Sequence, residues 1–407
     1  MAETMAVPYA GRVYGHEELK NLHAAADEFW LTEGRWCARF EAGLRRYLGV
    51  SHVRLCNSGS SANLLAVSAL NLEPGDEVIT VACGFPTTVA PIIQNRGVPV
   101  FVDVDARTAN VDVRQLEDAL SSRTVAVIAA HTLGNPFEVD AVKSFCEEHG
   151  LRLIEDNCDA LGSRFKCELT GTFGDMATSS FYPAHHITTG EGGAVYTNDS
   201  ILDAEIASCR DWGRDCYCRS GKQNTCGQRF CQQQGTLPDG YDHKYTYSRF
   251  GYNLKMTDLS ASIGVAQLAK VDAFGEARRT NYAFLRTHLE PLGLFDFQEP
   301  TPCSDPSWFA MLLTVRDDAP FTRDEIVAHL EANKIQTRML FAGNMTRQPC
   351  FTSLTEGTDY RIVGDLTNSD RFMNRAFLVG VYPGLSALQL QYMVGRFEEF
   401  ATLRSAA

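Results

Sequence analysis

The 407-residue sequence has no uncharged apolar run of the roughly 18 residues that a membrane-spanning helix requires. It also has no excess of basic charge, because 37 Lys and Arg stand against 50 Asp and Glu, for a formal net charge of -13. A chain of this charge repels nucleic acids and anionic membranes, so neither is expected as a partner. Residues 1–14 show no basic start followed by an apolar stretch, and we therefore expect a cytoplasmic protein.

A disulfide framework is also not expected. The thirteen cysteines are an odd number in a long chain without an export signal, which favours ligation of a metal or cluster over cross-linking. The composition, 44% hydrophobic and 21% charged, is that of a globular chain with a sizeable core. The spacing of the cysteines therefore bears on which metal or cluster they could bind.

Seven short β-rich runs alternate with helical patterns in the first half of the chain. The runs are 53–56, 77–81, 99–104, 124–130, 151–156, 177–182 and 193–197, and the helical patterns are 60–70, 87–95, 113–121 and 138–150. This alternation predicts an α/β fold whose large, mainly parallel seven-stranded sheet is covered by helices on both faces. Ligands of such sheets bind at the carboxyl ends of the strands.

The second half of the chain predicts a smaller domain. Residues 208–255 break the alternation, with eight basic and four acidic residues, and a loop of this length is usually functional or disordered. A helix is predicted from an N-cap at Thr257 towards residue 292. A strand at 308–315 and helices at 322–333 and 386–402 then indicate a C-terminal α+β domain. We place the large domain, with the cysteine-rich loop 208–255, at 1–275 and the smaller one at 276–407.

Two predicted strand ends carry candidate binding residues. The segment 57–62, which contains Gly59 and Ser60, ends the first strand where a helix begins, and free backbone amides and the helix dipole would favour an anion there. A simple capping turn is the alternative and is more frequent for such a segment. Asp156 ends the fifth strand, where a carboxylate can keep a pyridinium nitrogen protonated; a helix cap or turn is its alternative.

Residues 180–193, SFYPAHHITTGEGG, resemble the signature of the DegT/DnrJ/EryC1/StrS sugar aminotransferases. Segments 75–79, 99–105 and 251–256 extend the resemblance over most of the chain. It implies the fold-type I, aspartate aminotransferase-like architecture. In those relatives a lysine five residues after the serine binds pyridoxal phosphate (PLP) covalently, whereas this chain has His185 five residues after Ser180.

The histidine implies a cofactor that no side chain tethers, most naturally pyridoxamine phosphate (PMP). His185 suits proton removal, because an imidazole with a pKa of about 6.5 is mostly unprotonated at neutral pH. The alternative is an inactive relative in which His185 only packs. The intact Asp156, Ser180 and glycine loop argue against that alternative.

Four cysteines have a distinctive spacing, C-x57-C-x1-C-x7-C, formed by Cys158, Cys216, Cys218 and Cys226. It resembles the [2Fe-2S] ligand set of the CDP-4-keto-6-deoxyglucose-3-dehydrase type of enzyme. Zinc is a second interpretation, although structural zinc sites usually separate paired cysteines by two to four residues, and free thiols are a third. Cys158 follows Asp156 by two residues, so their Cα atoms should lie within roughly 7 Å and the cluster beside the cofactor ring.

The resemblance also implies roles for other residues. Gly59, Ser60 and Ser180 would bind the phosphate, and Asn253 would reach it from the partner in a homodimer. Phe85 would stack on the ring, and Asp159 stands where aminotransferases usually carry a glutamine near the ring hydroxyl. A turn role for Asn253 and a core position for Phe85 remain open.

The activity that the resemblance implies is removal of the C3 hydroxyl of a nucleotide-linked 4-keto-6-deoxyhexose, in deoxysugar biosynthesis. Two electrons would pass singly through the cluster from an NAD(P)H-dependent iron-sulfur or flavin reductase, or from ferredoxin or flavodoxin. One alternative is a glutamate-using GDP-sugar 3-dehydratase without a cluster. Another is a noncatalytic protein that binds PMP or a sugar nucleotide. No motif distinguishes CDP from TDP.

Overall fold

A computed structural model describes residues 5–218, 220–231 and 234–405. The helices are α1 (His16–Glu28), α2 (Arg35–Leu48), α3 (Gly59–Ser68), α4 (Pro86–Gln94), α5 (Leu116–Ala119), α6 (Val139–His149), α7 (Ser200–Arg210), α8 (Asp258–Leu268), α9 (Val271–Leu289), α10 (Arg323–Ala332), α11 (Thr367–Arg375) and α12 (Ala387–Ser405). The strands are β1 (His52–Cys56), β2 (Glu77–Val81), β3 (Val98–Val102), β4 (Thr124–Ala130), β5 (Arg152–Asp156), β6 (Arg164–Phe165), β7 (Glu168–Leu169), β8 (Met176–Ser180), β9 (Gly193–Thr197), β10 (Phe295–Phe297), β11 (Ser304–Asp305), β12 (Ala310–Val315), β13 (Thr337–Arg338), β14 (Arg361–Ile362) and β15 (Ala376–Gly380). In the part of the chain thus covered, no helix combines the length and apolar character needed to cross a bilayer.

The large sheet has eight strands in the order β1-β9-β8-β5-β4-β2-β3-β14. β9 pairs antiparallel with both β1 and β8, and the other neighbours are parallel. All seven predicted strands lie in this sheet, and the mainly parallel α/β prediction is confirmed. The eighth strand, β14, contains only two residues and adds to the edge beside β3.

The sheet brings three strand ends to one edge. β5 and β8 are parallel neighbours, and β1 is parallel to them because both β1 and β8 pair antiparallel with β9. The ends of these strands, Cys56, Asp156 and Ser180, therefore point the same way. β2, β3, β8 and β9 are buried along their whole length, as expected for strands covered on both faces.

The C-terminal part forms a second sheet of four strands in the order β10-β12-β15-β13, packed with α9, α10 and α12. The predicted strand and both later helices are present, and Thr322 caps α10 through a capping box with Glu325. The helix predicted from 257 to 292 is two helices, α8 and α9, separated at Ala269 and Lys270. Residue 275 lies inside α9, and the domain boundary at 275/276 stays a prediction.

The cysteine-rich loop 208–255 begins in the last turn of α7 and contains one 3-10 turn, His243–Tyr245, among its described residues. Its start is fixed by the buried Arg210, whose Nη2 donates to Glu33 Oε1 at 2.9 Å and whose Nη1 donates to the carbonyl of Leu55 at 2.8 Å. Ser220 Oγ donates to the other oxygen of Glu33 at 3.4 Å. The loop is therefore anchored to the segment that precedes α2.

Candidate active site

A cavity of about 780 Å³ opens at the carboxyl edge of the large sheet. It is lined by residues from β1–α3, β5, β8 and α4, by the N-terminal segment, and by the C-terminal part of the chain. Eight of the predicted site residues line it: Gly59, Ser60, Phe85, Asp156, Cys158, Asp159, Ser180 and His185. Four do not: Asn253, Cys216, Cys218 and Cys226.

One end of the cavity lies at the N-terminus of α3. α3 begins at Gly59, and its N-cap Ser58 accepts a hydrogen bond from the Ser61 amide at 3.0 Å. The amides of Gly59 and Ser60 lie in the first turn, where helices have no internal acceptor. A Cβ at position 59 would lie 2.5 Å from Cβ of Ser180, so only glycine lets Ser180 approach the helix terminus so closely. The turn thus combines amides, a hydroxyl and the helix dipole.

Asp156 is buried and firmly oriented at the other end. Its Oδ2 accepts from Asn63 Nδ2 at 2.8 Å and from Thr88 Oγ1 at 2.6 Å. Its Oδ1 accepts a hydrogen bond from the Cys158 amide at 3.2 Å, which is a contact typical of an aspartate in a turn. These three donors fix the orientation of the carboxylate in the cavity. Asn63 and Thr88 were missed in the sequence; their signal is a place within the first five residues of the helices that follow β1 and β2.

His185 lies in the loop after β8 and faces the cavity. Its Nδ1 is 3.4 Å from Oδ1 of Asp159 and makes no hydrogen bond, and its ring centroid is 5.1 Å from that of Phe309. Burial and the Arg278 guanidinium lower the pKa of His185 to about 4. The imidazole is therefore unprotonated at neutral pH.

Arg278 of α9 fixes the loop that carries His185. Its Nη2 donates to the carbonyls of Ala184 at 3.3 Å and His185 at 3.0 Å, and its Nη1 to those of Trp308 and Phe309. The guanidinium is buried, and sequence patterns did not indicate it.

Asp159 differs from Asp156 in its protonation. Burial and the charge of Asp156 raise the pKa of Asp159 to about 8, against an opposing effect of Arg278. At neutral pH the Asp159 carboxyl is therefore mostly protonated and can donate a hydrogen bond into the cavity.

Phe85 is not a core residue. It is 52% exposed, lines the cavity at the start of α4, and makes an edge contact with Phe341 at 6.1 Å between ring centroids. The sequence also gave no indication of the opposite wall, formed by Tyr9, Arg12, Phe309, Gln336, Arg338, Met339 and Phe341. Arg12 and Arg338 are exposed cations of this wall.

The four cysteines are not brought together within one chain. Cys158 lines the large cavity, where burial and the Asp156 charge raise the pKa of its thiol well above the ordinary value. Cys216, Cys218 and Cys226 line a separate cavity of about 10 Å³, which shares no lining residue with the first. Among residues 5–218, 220–231 and 234–405, no three His, Cys, Asp or Glu side chains are arranged to hold a metal ion. The predicted cluster site beside the ring is thus not formed by a single chain.

The small cavity nevertheless has features of a thiolate site. Cys218 Sγ accepts a hydrogen bond from Thr225 Oγ1 at 3.0 Å, and Cys226 Sγ accepts one from the Gln228 amide at 3.4 Å. Burial by itself would raise the pKa of the Cys218 thiol. The hydrogen bonds from the Thr225 hydroxyl and the amide of Cys226 outweigh this effect and lower the pKa to about 7. His243 also lines this cavity, and its buried Nδ1 has no hydrogen-bond partner.

Asn253 is exposed and lies outside the large cavity. It forms an isolated antiparallel bridge with Asp211, at the base of the cysteine-rich loop. A phosphate contact from Asn253 would therefore require a second copy of the chain, which is the arrangement that the family resemblance implies.

Comparison with known proteins agrees with this architecture. Residues 13–398 match the DegT/DnrJ/EryC1/StrS aminotransferase family. The chain belongs to this family. The lipopolysaccharide biosynthesis protein RfbH of Salmonella typhimurium is 51% identical over 98% of this chain and 93% of its own length. The dTDP-4-dehydro-2,6-dideoxy-D-glucose 3-dehydratase of Saccharopolyspora spinosa is 50% identical over 97% of this chain and 87% of its own.

Solved structures of family members show the same fold. The E. coli GDP-4-keto-6-deoxy-D-mannose-3-dehydratase with bound hydrated PLP aligns with a TM-score of 0.87 at 25% identity, over 97% of this chain and all of the other. The fold-type I prediction is confirmed by this match together with the sheet order.

Proposed function

We propose that this chain is a PMP-dependent dehydratase that removes the C3 hydroxyl of a nucleotide-linked 4-keto-6-deoxyhexose in deoxysugar biosynthesis. The observation that carries the proposal is His185 in a cavity that has no lysine among its described lining residues. Such a cavity can hold a B6 phosphate without a covalent tether. The two 3-dehydratase relatives, one of them 50% identical, support the same class of reaction.

The residues of the cavity fit the cofactor. Gly59, Ser60 and Ser180 would hold its phosphate at the α3 terminus, and Asp156 would pair with the ring nitrogen. Phe85 would lie against the ring, and the protonated Asp159 would donate to a ring oxygen. When bound, PMP supplies an amine that condenses with the C4 ketone and a ring that accepts electrons.

His185 would act as the general base that takes the proton from C4′ of the cofactor. It is unprotonated at neutral pH, and its loop is held by two hydrogen bonds from Arg278. Asp159, being mostly neutral, leaves the charge of Asp156 as the one that faces the ring. The cavity thereby separates a base, a neutral donor and an anion in the way that acid-base chemistry requires.

The rate of C4′ hydrogen exchange should therefore stay level on acidification from pH 7 to about 5, and fall only near pH 4. An imidazole of ordinary pKa would already lose activity below about pH 6.5. The folded state lowers the pKa values of His185 and His186, so the unfolded chain binds more protons than the folded chain below about pH 6.5. The free energy of unfolding therefore decreases as the pH is lowered below that value. Circular dichroism at each pH separates unfolding from titration. A midpoint near 6.5 in folded protein would contradict the assignment.

The mouth of the cavity provides cations for the nucleotide diphosphate. Arg12 and Arg338 are exposed on the wall opposite the sheet, and the guanidinium of Arg338 lies 5.3 Å from the ring centroid of Tyr9. Planar guanidinium groups bind phosphate oxygens in pairs. The basic loop around Arg210 to Arg229 would add to this field or meet an acidic electron donor; Arg210 itself is buried.

The finer part of the proposal is a [2Fe-2S] cluster held by Cys158, Cys216, Cys218 and Cys226, served by a separate NAD(P)H-dependent iron-sulfur or flavin reductase, ferredoxin or flavodoxin. The spacing of the cysteines and the shared cavity of three of them support it. The enzyme would act as a cytoplasmic homodimer. Replacing the C3 hydroxyl by hydrogen needs two electrons, so an external donor is required.

A second candidate is a cluster-independent 3-dehydratase that uses glutamate. The separation of Cys158 from the other three cysteines favours it, as does the structural match to the GDP-sugar dehydratase. A noncatalytic protein that binds PMP or a sugar nucleotide is the third.

Anaerobic turnover distinguishes the three candidates. Purified protein with PMP is given CDP- or TDP-linked 4-keto-6-deoxyglucose and either a reductase with NADH or glutamate, and the sugars are analysed by mass spectrometry. We expect a 3-deoxy sugar only with the reductase. A 3-deoxy sugar with glutamate alone would favour the second candidate, and binding without any product would favour the third. A 3-amino or 4-amino sugar would contradict the proposed function.

A further inference from the structure

The four cysteines of the proposed cluster lie on two separate surfaces of the chain. Cys158 opens into the large cavity beside Asp156, whereas the cysteine trio, which we define as Cys216, Cys218 and Cys226, lines the small cavity. All four side chains are partly exposed. Each surface therefore offers an incomplete set of thiols that another molecule can reach.

The trio is held in place within its own chain. Gly221, between Cys218 and Cys226, lies so close to Trp30 that a Cβ there would approach the Trp30 ring to 2.9 Å. Ser220 bonds to Glu33, and Arg210 ties Glu33 to β1. The loop that carries the trio is packed against the N-terminal part of the chain, so a swing of the trio to Cys158 would break these contacts.

The segment around the trio exposes an unusual amount of aromatic surface. Its exposed large side chains are Trp212, Tyr217, Phe230, Tyr241, Tyr245, Tyr247 and Phe250. The mouth of the cavity that contains Cys158 has exposed apolar side chains too, namely Phe85, Tyr182 and Met339. Exposed apolar side chains in this number can form an interaction surface. Aromatic residues are also those most enriched in protein interfaces.

We propose that the cluster site is shared between two copies of this chain, with Cys158 from one subunit and Cys216, Cys218 and Cys226 from the other. This inference rests on the proposed function, because it assigns the ligands of the [2Fe-2S] cluster that the proposed function requires. A second copy is the partner that carries the missing thiol, and a two-fold axis would complete two equivalent sites at once. The exposed Asn253, on the same loop and outside its own cavity, would be brought to the partner's cavity by the same contact.

Mixed dimers distinguish sharing from ligation within one subunit. Cys158→Ser and Cys218→Ser chains with different affinity tags are co-expressed, and the mixed dimer is purified through both tags and reconstituted anaerobically with ferrous iron and sulfide. If the cluster site is shared, both substitutions fall in one of the two sites of the mixed dimer, and the other site keeps all four thiols. We expect half the iron, half the acid-labile sulfide and half the reduced-cluster paramagnetic signal of the wild-type dimer, and none in either homodimer. A wild-type dimer with two tags and the exposed, remote Cys350→Ser variant are the controls.

The other outcomes overturn the inference in recognisable ways. A mixed dimer without iron, beside a fully loaded wild type, would place all four ligands in one subunit. A Cys158→Ser homodimer that keeps its iron would assign the fourth position to another group, of which His243 is the best placed. A monomeric loaded protein would exclude sharing. If the wild-type protein binds no iron, the cluster of the proposed function fails as well.

Discussion

Replacement of His185 by asparagine should lower the rate of hydrogen exchange at C4′ of bound PMP by about 10²–10⁴-fold, the range in which a positioned general base contributes to rate. Asparagine has a similar size and remains polar, but it cannot accept the proton. Exchange with solvent deuterium in the presence of the 4-keto sugar but without reductant, followed by mass spectrometry of the released cofactor, measures this step. PMP affinity should change little, since His185 has no part in holding the phosphate.

The neighbouring histidine provides a matched control. His186 is buried, whereas His185 is half-buried; the Nε2 of His186 lies 2.6 Å from the carbonyl of Ser307, and His186 does not line the cavity. A His186→Gln variant can keep that hydrogen bond and should exchange at the wild-type rate. Equal losses in the two variants would indicate general damage to the loop, and an unchanged rate in His185→Asn would remove His185 from the mechanism.

Replacement of Asp156 by asparagine should lower the C4′ exchange rate by about 10²–10³-fold, comparable to the removal of one preorganised electrostatic contact from an active site. The amide retains the shape of the carboxylate but no longer keeps the ring nitrogen protonated. The absorption band of the bound cofactor should shift as well, which a purely structural role would not produce.

Asp140 is a suitable control for this variant because it is an exposed residue of α6 that does not line the cavity. Asp140→Asn should retain both the rate and the spectrum. An Asp156→Asn enzyme with an unaltered cofactor spectrum would show that Asp156 does not face the ring nitrogen, and that its contacts with Asn63 and Thr88 serve folding alone.

The large sheet was predictable because seven of its eight strands are β-rich runs of five to seven residues separated by turns and helices. This pattern also placed Asp156 at the carboxyl edge of the sheet, whereas the role of Ser180 came from the family resemblance. β14 was missed because two residues carry no periodic signal. The break between α8 and α9 was missed because neither glycine nor proline marks Ala269 and Lys270.

The site was predictable only where its residues lie in motifs. Gly59, Asp156 and His185 follow strand ends, and their places could be inferred locally. Arg278 contacts the backbone of His185 across 93 positions of sequence, and Phe309 and Arg338 approach from the C-terminal part. Such contacts depend on how α9 and the second sheet pack against the first, which no local pattern encodes. The cysteine spacing likewise carries no information about the surfaces on which the four thiols lie.

The proposed enzyme holds its B6 cofactor without a covalent bond to the chain. Borohydride treatment of the protein loaded with PLP, whose aldehyde can form an imine with a lysine, tests this when followed by intact mass measurement, with His185→Lys as the variant in which attachment becomes chemically feasible. We expect the wild-type chain to keep its unmodified mass and to release its cofactor on denaturation. A cofactor adduct on the wild-type chain would contradict the claim and return the protein to the aminotransferases of its family.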